Sequence, residues 1–215
     1  MRAYKEIPFF SNTADDKHCF QASLKMIMKY FWPSEDYSWK ELEKITAKIP
    51  RLWTWQMAGL IWLQEKGVEV KNIEMFDYEK FIQLGGKYLI EEYGEEVGKR
   101  QIENSDIEQE KKLSKKFIEI INTERRIPNI DDIKQLLLDD YLIITNINSR
   151  ILNNRYGYTG HSVVLKGFSG EEFIINDPGG APGIENRKVD FELFEKAWGY
   201  PNEKAKNIMA FKLKK

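Results

Sequence analysis

The sequence predicts an α+β fold, with N-terminal helices packed on a C-terminal antiparallel sheet. Two observations predict it. Apolar residues recur at helical spacing in the first third of the chain. Segments rich in Val, Ile, Tyr and Phe, separated by turn residues, dominate the last third. This order of helices followed by strands is typical of the α+β class.

Three helices are predicted before the first strand. The segment CFQASLKMIMKYF has apolar residues on one face over Phe20–Phe31, and Pro33 ends that helix because proline cannot continue it. Trp39–Ala47 is a second helix with Ser38 as its N-cap. Thr54–Lys66 is a third, and the strand VEVKNIEM follows it.

The middle of the chain, about 78–126, alternates in charge and predicts a helical insertion within one domain spanning 1–215. A solvated insertion and a lid over a functional site both fit this pattern. After a helix at Ile130–Asp139, strands are expected at YLIITNI, HSVVLKGF, EEFIIND and IMAFKLK. The segment VDFELFEKAW is interpreted as a helix or a mixed segment.

The composition excludes several classes of protein. The 33 basic and 34 acidic residues give a net charge of −1, which argues against a nucleic-acid-binding protein. The N-terminus carries no signal-peptide pattern, and no apolar stretch is long enough to cross a bilayer. We therefore expect a cytoplasmic protein with no membrane partner. A single cysteine rules out an internal disulfide.

That cysteine, Cys19, lies in the first turn of the first predicted helix and follows a polar segment. Unpaired N–H groups and the helix dipole stabilise a thiolate there and lower its pKa. A thiolate is the reactive form of a cysteine nucleophile. The alternative is that Cys19 is a small buried hydrophobic residue.

A predicted hairpin carries the second signal, because His161 opens one strand and Asp177 closes the next. With Ser169-Gly170 as a two-residue turn, the two side chains fall opposite each other to within one residue. Facing side chains lie about 5 Å apart at Cβ, so a carboxylate there can orient the imidazole. Taken alone, Asp177 also fits a plain turn residue and His161 a strand-end histidine.

The remaining histidine, His18, is expected to be a loop residue. No spacing typical of a metal site occurs, so neither a metal nor another cofactor is predicted. Trp53 and Trp55 fit either the core or the wall of a cleft.

Four segments in order, PFFSN, CFQASLKM, GHSVVLKGF and IINDPGG, resemble the papain-like cysteine peptidases of the bacteriocin-processing, double-glycine-leader type. The closer resemblance is to their stand-alone relatives without a transporter. It implies a papain-like fold with Cys19 as nucleophile, His161 as general base and acid, and Asp177 as the orienting residue.

The sequence departs from the family pattern in two places. The family's Gly-Pro after the cysteine is Phe20-Gln21 here, and the bulkier Phe20 is expected to narrow access. The family's oxyanion glutamine corresponds to Asn12, whose side chain is one methylene shorter. Losing an oxyanion donor costs roughly 10²–10³ in rate. Gln21 is a weaker candidate for the same role.

The sequence thus predicts a cysteine peptidase or amide hydrolase that acts on a peptide or amide substrate through a thioester acyl-enzyme. Two alternatives stay open. One is acyl transfer by the same three residues, and the other is a peptide-binding module without catalysis. Neither the substrate nor the oligomeric state is readable from the sequence.

Overall fold

The computed structural model describes residues 2–180 and 182–214. The described helices are α1 Cys19–Phe31, α2 Trp39–Ile45, α3 Met57–Glu65, α4 Tyr78–Leu84, α5 Gly86–Glu103, α6 Ile107–Ile120, α7 Ile130–Leu138, α8 Ser149–Leu152 and α9 Phe191–Trp198. The described strands are β1 Arg2–Tyr4, β2 Val68–Glu74, β3 Thr123–Glu124, β4 Leu142–Asn148, β5 Gly160–Ser169, β6 Glu172–Asp177, β7 Ile184–Asp190 and β8 Asn207–Leu213. A 3₁₀ turn covers Glu203–Ala205.

The strands form one sheet in the order β3-β2-β8-β4-β5-β6-β7, with β1 paired to one end of β5. All described pairs are antiparallel except β2 with β3. The last strand, β8, lies between β2 and β4 and so joins the first half of the chain to the second. The predicted α+β class is confirmed, with a sheet that is mixed only at its β3 edge.

Helices cover both faces of this sheet. One buried apolar cluster unites α1, α3 and α4–α6 with side chains such as Ile144 and Val164, and the other unites α7 and α9 with Ile143 and Val163. Successive residues of β4 and β5 enter opposite clusters because strand side chains alternate between faces. Helices α4–α6, within the charged middle of the chain, contribute Tyr88 and other buried residues to the first cluster.

Most predicted helices differ from the observed ones by a residue or two. The largest difference is in α3, which begins at Met57 rather than Thr54. Gln21 donates a hydrogen bond to Thr54 Oγ1 at 2.8 Å, so that segment serves as a fixed loop over α1. Strand β7 was not predicted, because its sequence IENRKVD is mostly polar and five of its seven residues are exposed.

Candidate active site

Helix α1 begins at Cys19, at one end of the sheet. The thiol is half-buried and lines a cleft of about 610 Å³. Its first-turn position gives it the unpaired N–H groups of a helix start, where a thiolate is stabilised. His161, Asp177 and Asn12 line the same cleft. All four candidate residues therefore meet in one place.

The imidazole of His161 contacts the carboxylate of Asp177, with 2.7 Å between Nε2 and Oδ1. The other carboxylate oxygen, Oδ2, accepts a hydrogen bond from Arg187 Nη1 at 2.8 Å. Arg187 is itself fixed by Asn153 Oδ1 at 3.0 Å and by the Leu152 carbonyl at 2.7 Å. The imidazole orientation is thus set by a carboxylate that a guanidinium holds from behind.

The hairpin differs in register from the prediction. Ser169 pairs with Glu172, so the turn is Gly170-Glu171 and not Ser169-Gly170. A β-bulge at Lys166 then shifts the pairing, because Leu165 faces Ile175 while Gly167 faces Ile174.

Extending the register beyond the bulge sets Asp177 opposite Val163, two residues from His161. Residues two apart share a face, and diagonal neighbours are within reach of long side chains. Without the bulge, Asp177 would face Val164, and His161 would lie on the other face of the strand. The contact between His161 and Asp177 is therefore diagonal, and its geometric cause is the bulge.

The pKa values within this group favour a thiolate–imidazolium pair. Burial raises the pKa of Cys19, but a hydrogen bond to His161, its charge and the N–H groups of Ser162 and Phe20 bring that pKa below its ordinary value. Burial lowers the pKa of His161, but its hydrogen bonds to Asp177 and Cys19 raise it to about 10. Since Nε2 is engaged by Asp177, Nδ1 is the ring nitrogen left for Cys19.

The same partners act on the carboxylate. Burial raises the pKa of Asp177, but His161 and Arg187 together lower it to about 2. Asp177 is therefore ionised at neutral pH and balances the imidazolium charge.

Asn12 is 6% exposed and presents its amide in one orientation. Its Oδ1 accepts the N–H groups of Thr13 at 2.8 Å and His18 at 2.9 Å. Its own N–H donates to the Pro178 carbonyl at 3.0 Å, which ties it to the turn after Asp177. Within residues 2–180 and 182–214, Nδ2 donates no hydrogen bond, so it is free to donate to a group in the cleft.

Gln21 and Phe20 occupy positions different from those expected. Gln21 is fully buried, and its Nε2 donates to Thr46 Oγ1 and Thr54 Oγ1 at 2.8 Å each. That amide has no free donor for an oxyanion, so Asn12 is the better candidate. Phe20 is 2% exposed and its ring packs on Gly59, so most of this side chain belongs to the core.

His18 lies in the loop directly before α1, and its side chain is buried. Its Nε2 lies 2.8 Å from Glu43 Oε1, and its Nδ1 lies 2.6 Å from Thr13 Oγ1. The backbone N–H of His18 donates to Asn12 Oδ1, so His18 helps to fix the orientation of the Asn12 side chain.

The rest of the cleft is aromatic and comes from several elements. Trp53 and Trp55 both line it, and the Trp53 ring packs edge-on against Tyr158. Tyr93 and Val97 of α5 also line it, so part of the charged middle segment borders the cleft. Arg187 was not identified from the sequence, where nothing distinguishes it from the other charged residues of β7.

Neither a metal centre nor a membrane span is visible in the described parts of the chain. No three or more His, Cys, Asp or Glu side chains there are grouped so as to hold a metal ion. None of the helices described is both long and apolar enough to cross a membrane.

Comparison with known proteins adds a family and a fold. The model of the Peptidase_C39 like family matches residues 4–206. No curated protein matches the chain.

Three solved structures are similar. The peptidase domain of Streptococcus ComA, a bi-functional ABC transporter involved in quorum sensing, has 12% identity and a TM-score of 0.53, over 97% of this chain and 100% of that one. A double glycine motif protease from an AMS/PCAT transporter, solved with the leader peptide, has 17% identity and a TM-score of 0.51, over 99% and 95%. A structure described as C39-like, from Bacillus anthracis, has 16% identity and a TM-score of 0.49 over 100% of each chain. The first two show that the fold is shared.

Proposed function

This chain belongs to the Peptidase_C39 like family, and from that premise we propose that it is a cysteine peptidase with Cys19 as nucleophile. The family resemblance predicted from the four sequence segments is thereby confirmed. The single observation that carries the proposal is the connected group of Cys19, His161 and Asp177 in one cleft, with Nε2 of His161 2.7 Å from Asp177 Oδ1.

The proposed reaction follows from the protonation states. The Cys19 thiolate attacks the carbonyl carbon of a peptide bond, and a tetrahedral oxyanion forms. His161, protonated at Nδ1, gives its proton to the leaving amine, and a thioester to Cys19 remains. His161 then accepts a proton from a water molecule, which attacks the thioester and releases the acid. Asp177 keeps the ring oriented through both steps and offsets its charge.

Oxyanion stabilisation is assigned to Asn12 Nδ2 and the N–H of Cys19. In support, Asn12 Oδ1 is held by two backbone N–H groups, which leaves Nδ2 for the cleft. A donor that is fixed before the reaction needs no reorganisation when the charge develops.

Alkylation of Cys19 tests the thiolate, and since the chain has one cysteine the signal comes from one site. We expect iodoacetamide to react at pH 7 about tenfold or more faster than with the urea-unfolded chain, whose thiol titrates near 8.5. The rate should follow a pKa below that value. His161→Ala should slow alkylation of the folded chain to about the rate of the unfolded chain, since the hydrogen bond and charge that lower the Cys19 pKa are lost.

Digestion of a peptide library then separates the candidate activities. Hydrolysis by the unchanged chain, absent in Cys19→Ala, supports a peptidase, and products joined to an added amine support acyl transfer. A folded chain whose Cys19 titrates like a free thiol and which cleaves no peptide would contradict the proposal and favour a binding module.

A further inference from the structure

A row of polar side chains crosses the sheet along the floor of the cleft. Ser162 on β5 pairs with Asn146 on β4, and Glu74 on β2 pairs with Asn207 on β8. Asn207 Oδ1 accepts the N–H of Asn146 at 3.0 Å, which joins the two pairs. Ser162 Oγ donates to Asn146 Oδ1 at 2.7 Å. All four residues line the cleft, so its floor begins beside His161 and ends at Glu74.

The length of this row is set by the spacing of strands. Three steps of about 4.8 Å separate β5 from β2, so Glu74 lies roughly 14 Å from Ser162. An extended peptide advances about 3.3 Å per residue and covers that distance with about four residues. A substrate bound at Cys19 can therefore reach Glu74 without leaving the cleft.

Glu74 differs from the other three because it is a carboxylate. It is 6% exposed, and its Oε1 accepts hydrogen bonds from Asn72 Nδ2 at 2.6 Å and from Tyr78 OH at 2.7 Å. No Lys, Arg or His among the described residues forms an ion pair with it. Burial raises the pKa of Glu74, as expected for a carboxylate without a counter-ion. A buried charge is costly unless an opposite charge accompanies it.

Aromatic rings border this end of the cleft. Phe76 and Trp55 line it with ring centroids 6.0 Å apart, and Tyr93 from α5 lines the same cleft. Burial, followed by the neighbouring Tyr88 and Glu74, raises the pKa of Tyr93 well above its ordinary value. Aromatic faces attract cations, and a carboxylate among aromatic rings is a recurring way to recognise an ammonium or guanidinium group. Arg187 lines the same cleft, but its guanidinium is paired with Asp177 and not with Glu74.

We propose that Glu74 and the aromatic rings beside it form a subsite for a positively charged group of the peptide substrate, about four residues from the scissile bond. The group is an ammonium or guanidinium, from a Lys or Arg side chain or from a peptide N-terminus. This inference rests on the proposed function, since it places a peptide in the cleft.

The test uses peptides of one length bound to Cys19→Ala, which holds substrate without turnover. In one series an Arg is moved through each position of an N-acetylated peptide, and in the matched series it is replaced by neutral citrulline. A third series is neutral with a free N-terminus, which distinguishes a side chain from the terminal amine. Dissociation constants come from fluorescence anisotropy, and kcat/KM for the unchanged chain is measured on the same peptides.

We expect one register in which the cationic peptide binds at least about tenfold more tightly than its neutral partner, the size of one charge-assisted contact. Adding Glu74→Gln to Cys19→Ala should remove this preference, so that the cationic peptide binds no more tightly than its neutral partner. Gln keeps an acceptor for Asn72 and Tyr78. The matched control, Glu119→Gln, removes the same charge at an exposed position on α6 and should retain the preference.

Equal binding of charged and neutral peptides at every position would overturn the inference, as would a preference that survives Glu74→Gln. If Glu74→Gln fails to fold, the comparison of charged with neutral peptides bound to Cys19→Ala still tests the subsite. Cleavage without charge preference contradicts this subsite alone. Charge-selective binding without any cleavage by the unchanged chain contradicts the peptidase proposal and leaves the subsite standing.

Discussion

At the scale of single residues, Asn12 has the sharpest role to test. Its Oδ1 is held by Thr13 and His18, and its Nδ2 donates no hydrogen bond within the described residues. We expect Asn12→Ala to lower kcat by about 10²–10³, since an oxyanion donor acts mainly in the transition state. Alkylation of Cys19 forms no oxyanion and should keep its rate.

The control is Asn122→Ala, an exposed asparagine in the loop after α6. A kcat for Asn12→Ala within about threefold of the unchanged chain would remove Asn12 from the oxyanion role. Slower alkylation with the lower kcat would mean that Asn12 acts by holding the start of α1 instead.

The residue scale also shows what the sequence could reveal about the site. Cys19 could be found because its position at a helix start has a known effect on a thiol, and His161 and Asp177 because both stand at strand ends. Arg187 and Glu74 could not be found, since each is one of many charged residues in the sequence. The significance of Arg187 comes from its contact with Asp177, and that of Glu74 from its burial at the end of the cleft. Both depend on the packed sheet.

At the scale of elements, two bulges flank β6 and contact each other. One is at Lys166 in β5, and the other is at Asn186 in β7, whose φ is +55°. The fully buried Lys166 donates from Nζ to Asn186 Oδ1 at 2.6 Å. Because the first bulge puts His161 and Asp177 on one face, this contact stabilises the geometry of the site from a distance.

Substitutions at Asn186 separate the effect of its hydrogen bond to Lys166 from the effect of its positive φ. We expect Asn186→Gly to lower the free energy of unfolding in urea by about 2 kcal/mol, because the buried Lys166 ammonium loses this acceptor. Asn186→Ala should cost about 1 kcal/mol more, since alanine is disfavoured at positive φ. Asn186→Asp retains both features and should stay near the unchanged value. Equal stability of all three variants would show that the bulge does not depend on Asn186.

The elements themselves were predictable to different degrees. Helices such as α1 and α9 follow from apolar periodicity, because each buries one stripe against the sheet. Strand β7 has no such pattern, since it pairs on one side with β6 and exposes most of its residues. The hairpin was predicted with a turn one residue early, and the bulge has no signature in the sequence that fixes its position.

At the scale of the whole molecule, the charged middle segment contributes to the main core. Phe117 of α6 is fully buried, and its ring centroid lies 4.8 Å from that of Tyr78. All six tryptophans lie outside 78–126, so their fluorescence reports mainly on the rest of the chain, although Trp55 stacks on Phe81 of that segment. The single-domain organisation stays a prediction, and these rings provide a way to test it.

We expect Phe117→Ala to lower the free energy of unfolding by about 3–5 kcal/mol through the cavity it leaves. Tryptophan fluorescence and far-UV circular dichroism should shift together, as in one cooperative transition. Ile118→Ala, at an exposed position on the same helix, should change the free energy by less than about 0.5 kcal/mol. Helix loss in Phe117→Ala with an unchanged fluorescence midpoint would identify the middle segment as an independent unit.

The fold class was predictable at this scale, but the strand order was not. Alternation and helix periodicity report which faces are buried, and they say little about which strands are neighbours. The position of β8 between β2 and β4 is a long-range pairing, and it creates the row that ends at Glu74.

The single cysteine has a consequence for how the molecule withstands oxidants. A thiolate with a lowered pKa reacts readily with peroxide and becomes a sulfenic acid. No second thiol exists within the 215 residues to capture that acid as an internal disulfide. Recovery of Cys19 therefore depends on a small thiol diffusing into the cleft, and without one further oxidation to the sulfinic acid is irreversible for most proteins. The residue proposed to make this chain reactive is also the one at which its reactivity is most easily lost.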